Sequence, residues 1–231
     1  MHKRALLAAF LLTLACSGAF AGDVAVFENL GFSDDSRYLL FGQYGILSDE
    51  TRAYAELYAV DVAKNSYLSG GVLKKVYSDE IFPGQDGSGA LYMALREFSP
   101  IVSKYKFNHL ATGRMVYLLL NGAEPQDRLE FRDFQRGDSF SVDLIQHRYG
   151  EGEGTNLSSS FHISVMITDA AGKSRTYQVG HPDFKRKGVL EYRIKEVFFS
   201  PDEKGLVFVV ERDEVDGNGN NIRYMVETLR W

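Results

Sequence analysis

Short runs of alternating apolar side chains, separated by Gly, Asp, Asn and Ser, recur along most of the sequence. Within residues 161–168, every odd-numbered residue is apolar. Because successive side chains of a strand point to opposite faces, this alternation predicts a half-buried strand. The chain also contains 16 Phe and 13 Tyr residues, a residue class that favours strands. These features predict a mainly β protein.

The turn residues divide this pattern into a series of candidate strands. We expect antiparallel sheets packed as a sandwich or an open barrel, with an irregular or partial β-propeller as the alternative. No Pro/Ser-rich linker interrupts the series, so residues 22–231 are expected to form one domain. The predicted strands are 24–28, 38–43, 53–62, 72–77, 115–121, 128–134, 139–147, 160–168, 174–179, 189–199, 206–212 and 222–229.

A helical insertion near residues 88–106 interrupts the strand pattern. Its apolar side chains recur at helical spacing, and Ser88 is expected to cap the first turn through its hydroxyl. Ser99 followed by Pro100 is typical of a second N-cap with proline at the first helical position. We therefore expect two short helices in series. The apolar face comprises Leu91, Ala94, Leu95 and Phe98.

The first 21 residues have the layout of a secretory signal peptide, with a basic head, an apolar run of eleven residues and then small residues. Cleavage is expected after Ala21, in the small-x-small site at residues 19–21. As an alternative, residues 13–16 resemble a lipobox, in which Cys16 would be lipidated. Crossing a bilayer takes a helix of about 20 apolar residues. No stretch of the mature chain is that apolar, so no transmembrane segment is expected there.

Charge and cysteine content restrict the class of partner. Cys16 is the only cysteine, so intramolecular disulfides are not expected. The net charge of -5 becomes -7 once the two basic residues of the leader are removed. Nucleic acid and anionic membranes reward a basic surface, so neither is expected as a partner. A protein or another envelope component is expected instead, and the one basic cluster, residues 185–187, is interpreted as a solvated loop.

Two segments of the chain are alike. Residues 32–41 and 199–208 both contain Phe-Ser-x-Asp, then a basic residue and an apolar strand, at a constant offset of 167 positions. Ser and Asp side chains can bond nearby backbone amides and hold a tight turn. We expect the same turn at both places, and we hypothesise that the two copies share one sheet.

These segments resemble the repeat of TolB-type and WD40-like β-propellers. That resemblance implies an exported interaction platform. The chain as a whole resembles a family of bacterial predicted secreted proteins, mainly from spirochaetes, of unknown function. This wider resemblance is carried by the leader, by the two Phe-Ser-x-Asp segments and by the helical insertion. It implies export and supplies no catalytic residues.

Few residues are arranged as catalytic or cofactor motifs require. The four histidines of the mature chain are scattered, there is no G-x-S-x-G elbow, and the Gly-rich loop at 84–89 lacks the ending of a P-loop. No cofactor is expected, and each histidine is interpreted as an ordinary surface or strand residue. The histidines are His109, His147, His162 and His181.

One segment offers a candidate calcium site. Asp216, Asn218 and Asn220 alternate, and Glu227 follows eleven residues after Asp216, as the oxygen ligands of a calcium loop do. The same segment contains Asn-Gly between two predicted strands, which favours a plain hairpin without metal.

Two functions are compatible with the sequence. The first is a non-enzymatic binding or interaction protein of the bacterial periplasm or cell surface. The second is a secreted, glycosidase-like hydrolase with loop carboxylates such as Glu151 and Glu153, since glycoside hydrolysis needs two carboxyl groups.

Overall fold

The computed structural model describes residues 22–47, 51–82, 84–150, 156–216 and 219–231. They form three antiparallel sheets. In the first sheet the strand order is β4 (Ser66–Glu80), β3 (Arg52–Asp61), β2 (Tyr38–Ile46), β1 (Val26–Ser33) and β5 (Phe107–Asn108).

The other two sheets are built mainly from the C-terminal half of the chain. The middle sheet has the order β14 (Gly219–Arg230), β13 (Gly205–Asp216), β12 (Val189–Phe199) and β6 (Arg114–Leu118). The third sheet has the order β10 (Ser174–Gly180), β9 (Ser158–Thr168), β8 (Ser139–Tyr149) and β7 (Arg128–Arg132), and β11 (Arg186–Lys187) pairs with β9.

The middle sheet is buried on both faces. In β13, Val207 and Val209 pack against the first sheet, whereas Phe208 and Val210 pack against the third. Both faces of a strand must then be apolar, which is why residues 206–210 of β13 are all apolar. The three sheets therefore stack face to face around two apolar cores.

A single helix, α1 (Ser88–Tyr105), covers the remaining face of the first sheet. Leu91 and Phe98 of α1 pack there against strand β3. The β3 residues on that face include Ala55 and Ala59, and such small side chains let the helix approach the sheet closely. The molecule is thus layered as helix, sheet, sheet and sheet.

The predicted fold class is confirmed. The described residues are mainly β, their sheets are antiparallel and stacked as in a sandwich, and none of these sheets closes into a barrel. Each of the twelve predicted strands overlaps an observed strand. The two-residue strands β5 and β11 had no signal in the sequence, because two residues cannot show an alternation.

The prediction of two helices in series is wrong, because α1 runs without a break through Pro100. Proline lacks the amide that would bond the carbonyl of Arg96, which ordinarily disrupts a helix. Pro100 and Arg96 both lie on the exposed side of α1. The helix stays continuous because it contacts the first sheet on both sides of the proline, through Phe98 before it and Ile101 after it.

The predicted cap at Ser88 is also corrected. Gly87 is the N-cap and gives no side-chain hydrogen bond, and Ser88 is the first helical residue. The backbone amide of Ser88 donates to Oδ1 of Asp86 at 2.8 Å, and its hydroxyl donates to the same oxygen at 2.5 Å. A carboxylate just before the helix thus does what the serine was expected to do, and its charge also suits the helix N-terminus.

The two similar segments form the same turn. Ser33 Oγ donates to Asp35 Oδ1 at 2.6 Å, and Ser200 Oγ donates to Asp202 Oδ1 at 2.7 Å. The residue after each aspartate, Ser36 or Glu203, has a positive φ, of 57° and 53° respectively. The predicted repeat is therefore a structural repeat.

The hypothesis that both copies share one sheet is wrong. The first copy joins β1 to β2 in the first sheet, and the second joins β12 to β13 in the middle sheet. The two sheets pack face to face in a core that contains Phe32 of the first copy and Val207 of the second. The ring of Phe32 also lies 6.1 Å from that of Phe198, the residue just before the second copy. Each copy already has neighbours of its own on both edges, which leaves no free edge for the other.

Candidate functional site

A cavity of 290 Å³ lies where all three sheets meet. Strand β4 and the preceding turn form one wall, the edge of β14 forms the floor, and the connection from β10 to β11 forms the opposite wall. Most of the lining is apolar, with a few polar groups, as is usual for sites that bind small molecules. The lining residues are Val60, Asn65, Ser66, Tyr67, His181, Phe184, Arg186, Met225, Val226 and Glu227.

Asn65 joins the first sheet to the edge of the middle sheet. It has a φ of 50°, a left-handed conformation that Asn tolerates better than most residues. Its Oδ1 accepts a hydrogen bond from the backbone amide of Thr228 at 2.8 Å, and its Nδ2 donates to the carboxylate of Glu227. The side chain of Asn65 therefore provides a hydrogen-bond partner for a backbone amide at the edge of β14, and it also orients the carboxylate of Glu227.

Glu227 is the buried acidic group of the cavity, with only 2% of its surface exposed. Burial raises the pKa of Glu227, whereas the hydrogen bond from Asn65 and the nearby His181 and Arg186 act in the opposite direction. Among the described residues, Asn65 gives the one hydrogen bond to this carboxylate. No Lys, Arg or His of the described residues forms an ion pair with it.

Arg186 provides the opposite charge. Its guanidinium lies over the rings of Phe184, Phe161 and Tyr192, at 4.9, 5.2 and 5.8 Å from their centres. Its Nη1 is buried and has no hydrogen-bond partner among the described residues. Stacking on aromatic faces thus holds the guanidinium in place without a carboxylate partner.

Two aromatic side chains stand at the mouth of the cavity. Tyr67 is 48% exposed and Phe184 is 60% exposed, both high for large apolar side chains. Phe184 is held by a turn in which its amide donates to the carbonyl of His181 at 3.0 Å, and Pro182 occupies the second position that such turns favour. These two rings face solvent at the entrance, while the charged groups lie deeper.

A second polar cluster lies between the first and middle sheets. Arg223 forms an ion pair with Asp23, with 2.9 Å between Nη2 and Oδ2, and its guanidinium lies over the ring of Tyr54. The hydroxyl of Tyr54 donates to Asp23 at 3.2 Å, and burial raises the pKa of this tyrosine. These groups satisfy one another, so the cluster anchors the N-terminal segment and leaves little for a ligand to bind.

Two residues of the calcium hypothesis, Asn220 and Glu227, lie far apart along strand β14. In the β13–β14 hairpin, Asn220 pairs with Val215 and Glu227 pairs with Phe208. Seven residues of strand correspond to about 23 Å, far beyond the size of one coordination sphere. The side chain of Asp216 and all of Asn218 lie outside the described residues. No group of three or more potential metal ligands occurs in the part of the chain that the structure describes.

Several other predicted sites lie outside the described residues. These are the loop carboxylates Glu151 and Glu153, the cleavage position Ala21 and the alternative lipidation position Cys16. Of the scattered histidines, His147 and His162 lie on neighbouring strands with their rings 6.3 Å apart. His109 bonds the carbonyl of Leu30 at 2.7 Å, and His181 lines the cavity.

Comparison with known proteins identifies a family whose matched region includes the residues of the cavity. The family model described as "Predicted secreted protein (DUF2259)" matches residues 40–230, most of the chain. The chain belongs to this family. The family's description supports an exported protein and names no activity. No curated protein and no solved structure matches the chain.

Membership of this predicted secreted family agrees with the exported location expected from the sequence. Every residue that lines the cavity falls within the matched range. The family's description names neither an organism nor a propeller repeat, so the spirochaetal and propeller-like resemblances remain predictions. In the described part of the chain, no helix is long and apolar enough to cross a membrane.

Most residues that line the cavity have no signal in the sequence that points to a site. Arg186 was interpreted as part of a solvated basic loop, but it is half-buried, pairs with Ser159 through β11 and lines the cavity. The signal that could have revealed it is the aromatic residue Phe184 two positions earlier, in a segment otherwise typical of a loop. Glu227 was singled out, although for a different site.

Proposed function

We propose that this member of the predicted secreted family is a non-enzymatic binding protein, exported to the periplasm or cell surface, whose ligand occupies the cavity between the three sheets. The observation that carries the proposal is the buried Glu227 in a largely apolar cavity shared by all three sheets. Small-molecule sites commonly combine an apolar lining with a few fixed polar groups, as here.

The size and position of the cavity support a small ligand. Its volume of 290 Å³ is close to the lower end of the range for small-molecule sites, about 300–1,000 Å³. Because its walls come from different sheets, a bound ligand would contact all three layers at once. Such a ligand stabilises the folded state, because it binds the native chain and not the unfolded one.

The lining favours binding over the hydrolase alternative. Glycoside hydrolysis uses two carboxyl groups about 5 to 9.5 Å apart. Among the described residues, the cavity is lined by one carboxylate, that of Glu227. Its neighbours Asn65 and Arg186 are suited to orienting a ligand.

The ligand proposal is tested with a variant that fills the mouth of the cavity. Ser66 lines the cavity but is exposed, so Ser66→Trp should block the site while leaving the core intact. Ser78→Trp is the matched control, since Ser78 is exposed on the same strand β4 and does not line the cavity. Protein from the native host would be examined by native mass spectrometry.

We expect a small molecule to accompany the wild type and the Ser78→Trp variant, and to be lost from Ser66→Trp. The thermal unfolding midpoint should fall when the molecule is dialysed away from the wild type. A wild-type protein that carries no small molecule, or one retained equally by Ser66→Trp, would contradict the proposal.

We also propose cleavage after Ala21, giving a single mature domain of residues 22–231. Ion pairing with Arg223 holds Asp23 against the domain. In the lipidated alternative, the seven residue-to-residue steps from Cys16 to Asp23 span at most about 25 Å and would keep the domain close to the membrane. Intact mass and detergent partitioning of the native protein distinguish the two forms. A lipid-modified chain in the detergent phase would refute cleavage after Ala21.

A further inference from the structure

Two opposite charges line the cavity without neutralising each other. Glu227 and Arg186 line the same cavity, yet no ion pair within 4 Å joins them. Each also has no ion-pair partner elsewhere among the described residues. A buried charge without a partner is costly, so groups of the opposite charge should bind here.

The acidic side of the cavity is suited to an ammonium group. Glu227 is almost fully buried, and Asn65 donates to its carboxylate. An ammonium group has three donors and a full positive charge, which would compensate the carboxylate. The ring face of Tyr67 at the entrance also favours a cation, whereas the ring of Phe184 already lies against the guanidinium of Arg186.

The basic side is suited to a carboxylate group. The guanidinium of Arg186 is held by ring stacking, so its position does not depend on an acidic partner. Guanidinium groups bind carboxylates with two parallel hydrogen bonds when the geometry allows. His181 lines the same wall and can add a donor.

The rest of the lining is suited to an apolar body of modest size. Val60, Met225 and Val226 give aliphatic surface, and Phe184 and Tyr67 give aromatic surface. A ligand with a single charge would satisfy one side and leave the other unpaired. A ligand whose ammonium and carboxylate groups are bonded to the same carbon can satisfy both sides together.

We infer that the cavity takes a small zwitterion with an apolar body, of the class of apolar α-amino acids, with its ammonium at Glu227 and its carboxylate at Arg186. This inference rests on the proposed function, because it names the ligand class of the same cavity. The apolar side chain of the ligand lies against Met225, Val226 and the two aromatic rings.

The first experiment compares three probes with the same ring and chain length by isothermal titration calorimetry on the purified protein. L-phenylalanine carries both charges, 3-phenylpropionate lacks the ammonium and phenethylamine lacks the carboxylate. We expect L-phenylalanine to bind at least tenfold more tightly than either analogue. This comparison uses only wild-type protein, so its outcome does not depend on whether a variant folds.

The second experiment assigns each charge to its residue. Glu227→Gln should weaken the binding of L-phenylalanine about tenfold. It should leave the binding of 3-phenylpropionate unchanged, because that probe has no ammonium group to contact Glu227. Arg186→Met keeps an apolar chain that can stack on the aromatic rings. It should weaken the binding of L-phenylalanine and leave the binding of phenethylamine unchanged. Glu130→Gln and Lys187→Met are the matched controls, since both residues are exposed and neither lines the cavity.

The outcomes separate this inference from the proposed function. If an analogue binds as well as L-phenylalanine, the cavity binds ligands but the zwitterion inference is wrong. If no probe binds, the amino-acid class is wrong, and the native mass spectrum of the Ser66→Trp series still decides the proposed function. If L-phenylalanine binds Ser66→Trp as tightly as it binds the wild type, the assignment to this cavity is wrong.

Discussion

At Glu227, burial raises the carboxyl pKa and nearby positive charges lower it. The contribution of this residue to stability therefore depends on pH. The folded state raises the pKa of this carboxyl above the ordinary value of 4.5, chiefly through burial. The folded protein therefore keeps a proton that the unfolded chain has already released. In that pH window, raising the pH favours the unfolded state.

This gives a prediction for Glu227→Gln. The wild type should lose stability as the pH rises from about 4.5 through the raised pKa, whereas the glutamine variant lacks that loss. Between pH 4 and pH 8, the thermal unfolding midpoint of the variant should rise relative to that of the wild type as the pH increases. Glu130→Gln, at an exposed position, should show no such trend. A difference that shrinks with increasing pH would contradict the prediction.

The repeated turns give a second comparison between single residues. Asp35 and Asp202 make the same bond with the preceding serine, but Asp202 also pairs with Arg230, at 2.5 Å between Oδ2 and Nη2. Arg230 in turn donates to the carbonyl of Ser36 at 3.2 Å. The second aspartate therefore links the two turns, and the first does not.

We predict that Asp35→Ala costs about 1 kcal/mol of unfolding free energy, because its carboxylate accepts two partly solvent-exposed hydrogen bonds, from Ser33 Oγ and from the amide of Arg37. Asp202→Ala should cost about 2 to 3 kcal/mol, because a charge-assisted pair is lost as well. Urea denaturation of the two variants measures both values. Equal losses would mean that the Arg230 bridge contributes nothing to stability.

Among the elements, helix α1 is notable for continuing through a proline, Pro100. The break predicted at Ser99–Pro100 is absent because residues on both sides of the proline contact the first sheet. A helix-interior proline nevertheless loses one backbone hydrogen bond and is less favourable than alanine by about 3 kcal/mol.

Pro100→Ala should therefore stabilise the protein, by about 1 to 3 kcal/mol in urea denaturation. Ser99→Ala is the matched control, since Ser99 is exposed on the same turn of α1 and lacks the proline effect. It should change stability by no more than about 0.5 kcal/mol. A loss of stability in Pro100→Ala would show that the fold depends on a bend at this position.

For the whole molecule, the central question is whether the three stacked sheets unfold together. Both faces of the middle sheet are buried, so each core contains residues of that sheet. Opening either interface exposes the middle sheet, and we expect all layers to unfold in one cooperative transition.

Valine substitutions on the two faces of β13 test this expectation. Val209→Ala opens space against the first sheet and Val210→Ala against the third, and both side chains are fully buried. Each should cost roughly 2 kcal/mol and shift the whole transition. Within each variant, far-UV circular dichroism and the fluorescence of Trp231, the only tryptophan, should give the same unfolding midpoint. Separate midpoints for the two probes would indicate independently folding layers.

The sequence by itself predicted the strands of five residues or more, the two Ser-x-Asp turns and export. Alternation at period two located the strands because it depends only on neighbouring side chains pointing to opposite faces. The Ser-x-Asp turns were equally predictable, since their hydrogen bonds join residues two positions apart. Export was predicted from the pattern of the first 21 residues, and the predicted secreted family to which the chain belongs supports it.

Only the tertiary structure decided which sheet each strand joins and which side chains meet in the cavity. Alternation tells whether a side chain is buried and not what it is buried against, so β2 and β13 could not be assigned to different sheets beforehand. The continuity of α1 across Pro100 likewise depends on contacts with the first sheet. Asn65, Arg186 and Glu227 belong to segments far apart in the chain, and no local pattern links them. They meet because stacking three sheets brings the edge of β14 against two connections, and this stacking is set by the burial of apolar surface over the whole molecule.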